Sequence, residues 1–82
     1  MKKIDTPNTV ARMMDRGWFT LWHAWEGDDG RVEYWRGNHQ NGACVRRLDD
    51  AGSMISATHY IFPGEALLTL VRAGLDVPGV AA

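Results

Sequence analysis

With 82 residues, the chain has the length of one small domain, and we expect residues 1–82 to form a single folded unit. Nine Lys and Arg against ten Asp and Glu give a formal net charge of −1, which argues against a broadly cationic nucleic-acid-binding coat and against an acidic solvating tail. Hydrophobic residues make up 45% of the chain and charged residues 23%, so the composition excludes intrinsic disorder.

No segment has the pattern of an export signal or of a membrane span. The basic start is followed by polar residues 5–8, where a signal peptide would be apolar. The longest run without Asp, Glu, Lys or Arg, residues 51–64, is shorter than the ~20 apolar residues that a membrane-spanning helix needs. Cys44 has no second cysteine to pair with. We therefore expect a cytoplasmic protein in which Cys44 packs as a small apolar residue of a strand.

The first element is predicted as a helix over residues 6–16. Thr6 can cap it, Pro7 suits its first turn and Gly17 suits its left-handed end. One apolar stripe at helical spacing supports this interpretation, formed by Val10, Met13 and Met14.

After residue 17 the pattern has a period of two, and it predicts four strands, over residues 18–26, 31–36, 43–48 and 53–62. Short turn-forming sequences separate these strands and favour an antiparallel meander. Beyond Pro63, apolar residues at helical spacing predict a second helix over 64–73, and a frayed tail follows over 76–82. The predicted architecture is an α+β fold, α-β-β-β-β-α, with both short helices packed on one face of a four-stranded sheet.

Tryptophan is the unusual feature of the composition, because all four fall within residues 18–35. Two short helices can cover only one face of a four-stranded sheet, and the other face should then alternate to polar residues. Both faces of the predicted first strand are instead mostly apolar. Our assignment of strand faces places one apolar set beneath the helices: Phe19, Leu21, Val32, Tyr34, Val45, Ile55, Ala57 and Ile61.

This assignment leaves aromatic and basic side chains toward the open face. The candidate partner-binding residues are Trp18, Trp22, Trp35, Arg36, Arg46, Arg47 and Tyr60. Because Trp, Tyr and Arg are enriched at interface hot spots, we expect this surface to bind another protein or a second copy of the chain in a homodimer. The alternative is that all four tryptophans fill the core of a small domain.

Binding of nucleic acid is the alternative function. The predicted second and third strands carry four basic side chains that could contact phosphate, and Trp35 could stack on a base; the four are Arg31, Arg36, Arg46 and Arg47. The order of elements resembles in outline that of double-stranded-RNA-binding domains. Those domains begin their last helix with lysines, however, whereas this chain has Pro63-Gly64-Glu65 there. The net charge and the aspartate pairs beside the basic strands also weigh against phosphate binding.

No motif indicates catalysis or a metal site. His23, His39, His59 and Cys44 lack the close spacing of zinc ligands. His23 with Glu26, and His59 with Ser56, supply acid–base residue types, but strand residues three apart point to opposite faces. We therefore predict a non-enzymatic protein-binding module without cofactor or metal. By analogy with its size, we expect a small inhibitor or adaptor of the kind that phages direct at a larger host enzyme.

Overall fold

The computed structural model describes residues 1–38 and 41–80. Six strands and one helix follow in chain order: β1 (Lys2–Ile4), β2 (Val10–Arg12), β3 (Trp18–Gly27), β4 (Gly30–Gly37), β5 (Ala43–Leu48), β6 (Met54–Tyr60) and α1 (Pro63–Arg72). The strands form one antiparallel sheet in the order β1-β3-β4-β5-β6, with β2 also paired to β3. The chain therefore has a sheet-dominated α+β fold. Within the described ranges, no helix has the length and apolar character that crossing a membrane requires.

The N-terminal segment forms an edge of the sheet, so the predicted helix over 6–16 is wrong. β1 pairs with the second half of β3, where Ile4 lies opposite Ala24, and β2 pairs with the first half, where Val10 lies opposite Thr20. Both short strands run antiparallel to β3. They act together as one edge strand that is interrupted between residue 4 and residue 10.

Two physical reasons explain why a strand forms here and a helix does not. Without β1 and β2, the backbone groups along one edge of the ten-residue β3 would lack strand partners. Of the apolar stripe that suggested a helix, Val10 lies in β2, whereas Met13 and Met14 lie in the turn that follows. Met14 and Asp15 both adopt a φ of 53°, outside the right-handed helical region. This turn folds Met13 back over the sheet, where the side chain is 7% exposed.

β3 to β6 correspond to the four expected strands and pair antiparallel in chain order, but the sheet has six strands, so the prediction of a four-stranded sheet is wrong. Of the two predicted helices, only the C-terminal one is present in the described residues. Pro63 stands in the first turn of α1, where its missing N–H costs nothing, and Glu65 complements the positive end of the helix.

α1 packs against one face of the sheet, which we call the helix face. The buried core on this face consists of Trp25, Val32, Tyr34, Ala43, Val45, Ala66, Leu70 and Val77. The segment after α1, expected as a frayed tail, contributes Val77 to this core, and the indole N–H of Trp25 donates a 2.9 Å hydrogen bond to the carbonyl oxygen of Asp76. Residues 81 and 82 of that segment lie outside the described ranges.

The second face, which we call the opposite face, has its own smaller core. It consists of Met13, Phe19, Leu21, Trp35 and Cys44, with Ala11 and Ala57 at its border. The turn after β2 covers this core in the place of a helix, and the sulfur atoms of Met14 and Cys44 lie 3.5 Å apart. Our assignment of Phe19, Leu21 and Ala57 to the helix face is therefore wrong. Ile55 and Ile61, which were also expected beneath a helix, are 65% and 70% exposed.

Candidate functional site

A β-bulge in β3 determines which tryptophans reach the surface. Leu21 pairs with Trp35, but the next pair joins His23 to Tyr34, so Trp22 is an extra residue on its strand. A bulge interrupts the alternation of side chains between faces. Before it, odd-numbered residues of β3 lie on the opposite face; after it, Trp25 lies in the core of the helix face. A strictly alternating pattern could not predict this arrangement.

The bulge leaves an exposed aromatic surface on the helix face, beyond the area that α1 covers. We call it the tryptophan surface, and it consists of Val10, Arg12, Trp18, Trp22 and Arg36. Strand pairing places these residues together, since Arg12 lies opposite Trp18, and Thr20 lies between Val10 and Arg36 in adjacent strands. The exposed fractions are 52% for Val10, 53% for Trp18 and 48% for Trp22.

Each exposed indole of the tryptophan surface lies beneath a guanidinium group. The Cζ atom of Arg12 is 5.9 Å from the ring centre of Trp18, and that of Arg36 is 5.3 Å from the ring centre of Trp22. Such cation–π contacts are worth about 0.5–1 kcal/mol each at exposed sites, so they restrain the rings. Among the described residues, neither arginine forms an ion pair, and the surface therefore presents two positive charges beside its apolar rings.

Buried aromatic rings support Trp22 from below. Its indole meets the Tyr34 ring edge-on with 6.3 Å between ring centres, and His23 stacks on the same tyrosine at 5.7 Å. Tyr34 is fully buried. Burial lowers the pKa of His23, and the nearby Lys3 lowers it further, so the imidazole stays neutral to a lower pH than an exposed one would. Burial likewise raises the pKa of Tyr34, an effect that Arg36 opposes. Trp22 thus packs edge-on against a buried, uncharged tyrosine ring.

The structure separates Trp35 from the two exposed tryptophans. Trp35 is 2% exposed and lies in the core of the opposite face. Its indole N–H donates a 3.0 Å hydrogen bond to Glu33, and the Cζ atom of Arg46 lies 4.9 Å from its ring centre. Arg46 also donates a hydrogen bond to Glu33. Trp35 and Arg46 are therefore parts of a packed network and do not join the tryptophan surface.

Glu33 is the centre of that network. Its side chain is 6% exposed, and it accepts hydrogen bonds from Trp35, Arg46 and, at 2.7 Å, the Nε of Arg31. Burial acts to raise the pKa of Glu33, but the bonds from Arg46, Trp35 and Arg31 outweigh it and hold that pKa below its ordinary value. The ionised carboxylate therefore engages two of the four arginines that were expected to contact phosphate.

The remaining candidates lie elsewhere on the sheet. Arg47 is exposed and is paired with Val32 and Ser56, which places it on the helix face away from Trp18 and Trp22. Tyr60 is half-buried and packs against the helix-face core. The four arginines of the nucleic-acid hypothesis are thus divided between two faces, and with the first helix absent the outline resemblance to double-stranded-RNA-binding domains is lost.

The residue pairs considered for acid–base chemistry do not meet. His23 stacks on Tyr34 on the helix face, whereas Glu26 pairs with Arg31 at 3.1 Å. The Nε2 of His59 lies 2.7 Å from the carbonyl oxygen of Asn41. Ser56 is three residues before His59 in a strand whose pairing is regular over that stretch, so it points to the other face.

Cys44 and the histidines do not assemble a metal site in the part of the chain that the structure describes, where no three His, Cys, Asp or Glu residues are grouped closely enough to hold an ion. His39 lies outside the described residues. Cys44 is 1% exposed, and burial raises the pKa of its thiol; Arg46 opposes this effect and Glu33 adds to it. The thiol is therefore protonated and packed, as expected for a small apolar residue.

Sequence reasoning missed two members of the tryptophan surface. Val10 and Arg12 were assigned to the predicted N-terminal helix, so their pairing with β3 was not considered. The short alternation of exposed Val10, half-buried Ala11 and exposed Arg12 was too brief to be recognised as a strand.

Comparison of the chain with protein-family models, with curated proteins and with solved structures gives no match.

Proposed function

We propose that this chain is a protein-binding module and that the tryptophan surface is its contact site. The observation that carries the proposal is the pair of half-exposed indoles, Trp18 and Trp22, each beneath an arginine. Core packing accounts for Trp25 and Trp35, which are buried, but it does not account for the other two. Trp and Arg are the side chains most enriched at interface hot spots.

The size of the tryptophan surface suits a compact hot spot. Trp18 and Trp22 are four residues apart on one strand, which corresponds to about 13 Å. A tryptophan side chain has ~150–250 Å² of area, so two half-exposed rings present about 200 Å² together. Removing that area from water is worth at most about 5 kcal/mol, at ~25 cal/mol per Å². This is sufficient to make the surface a centre of binding energy.

The charges of the tryptophan surface define the chemistry of the partner. Arg12 and Arg36 flank the indoles with positive charge, so a complementary protein offers an apolar cleft with Asp or Glu at its rim. An inhibitor or adaptor that covers the working surface of a larger enzyme, as small phage proteins do with host enzymes, is the role that we propose for such a module. Its support is the exposed aromatic surface with its two arginines.

The experiment compares variants in affinity capture, followed by titration with the purified captured protein. Trp18→Ala and Trp22→Ala should each weaken binding at least about 30-fold, the ~2 kcal/mol that defines a hot spot. Leu68→Ala is the matched control, because Leu68 is 46% exposed on α1, outside the tryptophan surface. Equal affinity for the two tryptophan variants and the wild type would contradict the proposal.

Two further outcomes separate the alternatives. If Trp18→Ala or Trp22→Ala unfolds the domain as severely as Trp35→Ala, for which we expect about 3–5 kcal/mol, the exposed indoles are structural. A labelled single-stranded RNA or DNA of about 20 nucleotides serves as the second probe. Binding of that probe at low salt, with a salt dependence that weakens in Arg12→Ala and Arg36→Ala, would instead favour recognition of nucleic acid.

A further inference from the structure

β6 is a free edge of the sheet. Within the described residues it pairs with β5 alone, so one side of its backbone has no strand partner. Its pairing with β5 is regular over residues 56–60, and the register shift lies nearer the preceding turn. A free edge with regular geometry is a template on which another strand can form hydrogen bonds.

The two edges of the sheet differ in how they are protected. The β1–β2 edge carries Lys2, Lys3 and Arg12, is interrupted between its two strands and has Pro7 in the interruption. Lysine, proline and broken pairing are the features that keep natural edge strands from associating. β6 (MISATHY) contains no Lys, Arg, Asp, Glu or Pro. The β1–β2 edge therefore has several features that prevent pairing, whereas β6 has only the register shift near its start, outside residues 56–60.

The exposed apolar residues along the β6 edge are arranged symmetrically about Thr58. Met54 and Ile55 are 61% and 65% exposed, and they precede Thr58 by four and three residues. Ile61 and Phe62 are 70% and 65% exposed, and they follow it by three and four residues. In an antiparallel pair of identical strands centred on Thr58, Ser56 would lie opposite Tyr60 of the second copy, and the exposed apolar residues would lie at the two ends of that paired stretch.

We propose that β6 pairs antiparallel with β6 of a second copy of this chain, with the two-fold axis at Thr58. Such a pair unites the two sheets into one continuous sheet and covers the exposed apolar side chains at both ends of the strand. A charged edge strand would meet its own charges across the axis, and β6 carries none. The proposal does not depend on the tryptophan surface, which lies on β2, β3 and β4, toward the opposite edge of the sheet.

The affinity of this dimer follows from its size. A seven-residue strand is about 23 Å long. A contact built on one pair of such strands belongs with interfaces below about 1,200 Å², which are typical of weak and transient complexes. We therefore expect association at tens to hundreds of micromolar, and the measurement must cover that range.

Sedimentation equilibrium on the full chain tests the proposal. Between about 10 and 500 μM, the mean mass of the wild type should rise from the 9.2 kDa of one chain toward twice that value. Thr58→Lys places two like charges at the axis and should weaken association at least tenfold. Leu68→Lys, which adds the same charge at an exposed apolar position of α1, should associate as the wild type does. Circular dichroism confirms that each variant is folded.

Hydrogen exchange gives a second, independent measurement. As concentration rises, the amides of residues 54–61 should gain protection, while those of the β1–β2 edge should not. A wild type that stays at the mass of one chain throughout the range would overturn the proposal, as would a Thr58→Lys variant that associates normally. Association lost in Trp22→Lys and kept in Thr58→Lys would place the contact on the tryptophan surface and also overturn it.

Discussion

Replacement of Glu33 by glutamine should be among the most destabilising isosteric changes in this chain. Glu33 accepts hydrogen bonds from Arg31, Arg46 and the indole of Trp35 at a position where its side chain is only 6% exposed. Glutamine keeps the shape of the side chain but loses its charge. Its NH₂ group would also face N–H donors of the arginines or of the indole, with which it cannot form hydrogen bonds. The guanidinium group of Arg46 would then lack its counter-charge at the border of a packed core, and Arg31 would keep only that of the more exposed Glu26.

The magnitude follows from the exposure of those arginines. Removing one partner of a fully buried ion pair costs about 3–5 kcal/mol, because the remaining charge is uncompensated. The side chains of Arg31 and Arg46 are 28% and 29% exposed, so water can solvate them in part. We therefore expect Glu33→Gln to lower the free energy of unfolding by about 2–3 kcal/mol. For a domain of this length that corresponds to roughly 10–20 °C in Tm.

Urea unfolding at several pH values measures this effect and its origin. The pKa of Glu33 is lower in the folded state than in the unfolded chain, where it is ~4.3. The ionised carboxylate therefore stabilises the fold fully at a pH above ~4.3, and this stabilisation is lost as the pH falls through the folded-state pKa. The glutamine of the variant does not titrate, so the gap in stability between the two proteins should narrow below about pH 4.3.

Glu26→Gln is the matched control for this measurement. Glu26 also pairs with Arg31, but its side chain is 54% exposed, and we expect a loss of less than about 1 kcal/mol. The reasoning that an ionised, buried Glu33 stabilises the fold would be refuted by either of two results. One is a Glu33→Gln variant as stable as the control at neutral pH, and the other is a difference in unfolding free energy from the wild type that does not change with pH.

Two further predictions concern the helix face. Trp25→Phe removes the indole hydrogen bond to the carbonyl of Asp76, and it should cost about 1–2 kcal/mol and speed amide exchange in residues 75–80, while Trp18→Phe at an exposed position should do neither. The pKa of His23 is lowered by burial and by Lys3, so the neutral ring stabilises the fold above ~6.5, and stability should decrease as pH falls from there through the folded-state value. His23→Phe should remove that slope below about pH 6.5, and an unchanged slope would show that another group causes it.

The strands and the helix between residues 18 and 73 were predictable because local signals agree there. Turn-forming sequences separate short segments of period two, and Pro63 marks the start of α1. The N-terminal segment was not predictable in this way. Its apolar spacing fits a helix, and only the unpaired edge of β3, a tertiary feature, makes two three-residue strands more favourable. Context of this kind overrides local propensity.

The faces of the sheet could be predicted only in part. Both faces of β3 are apolar, because one packs against α1 and the other against the turn that holds Met13. Alternation therefore could not fix the register, and the bulge at Trp22 reverses it midway. The prediction that aromatic residues remain exposed applies to Trp18 and Trp22, whereas Trp35 is buried with Glu33. A carboxylate two positions before a tryptophan on one strand face was the available signal for that network.

The proposed dimer and the tryptophan surface are related through the geometry of the sheet. Trp22 and His23 stand opposite Tyr34, which pairs with Val45, which pairs with Thr58, so one row across the strands joins the bulge to the proposed axis. The two-fold axis of an antiparallel strand pair is perpendicular to the sheet, and both tryptophan surfaces would therefore face the same side. From β3 to its copy there are seven strand spacings of ~4.8 Å, about 34 Å in total.

This distance distinguishes the proposed dimer from one built on the tryptophan surface. Spin labels at Trp22→Cys, in a chain that also carries Cys44→Ala, should give a dipolar distance near about 34 Å, shortened somewhat by sheet twist. A slip of two residues in the β6 pairing displaces the labels by only about 7 Å along the strands, so the distance changes little. A contact between tryptophan surfaces would instead be broken by the loss of Trp22, and no intermolecular distance would be observed. Two tryptophan surfaces on one side of a continuous sheet would suit a partner that is itself a symmetric dimer. Binding at both surfaces at once raises the overall affinity above that of either small contact alone.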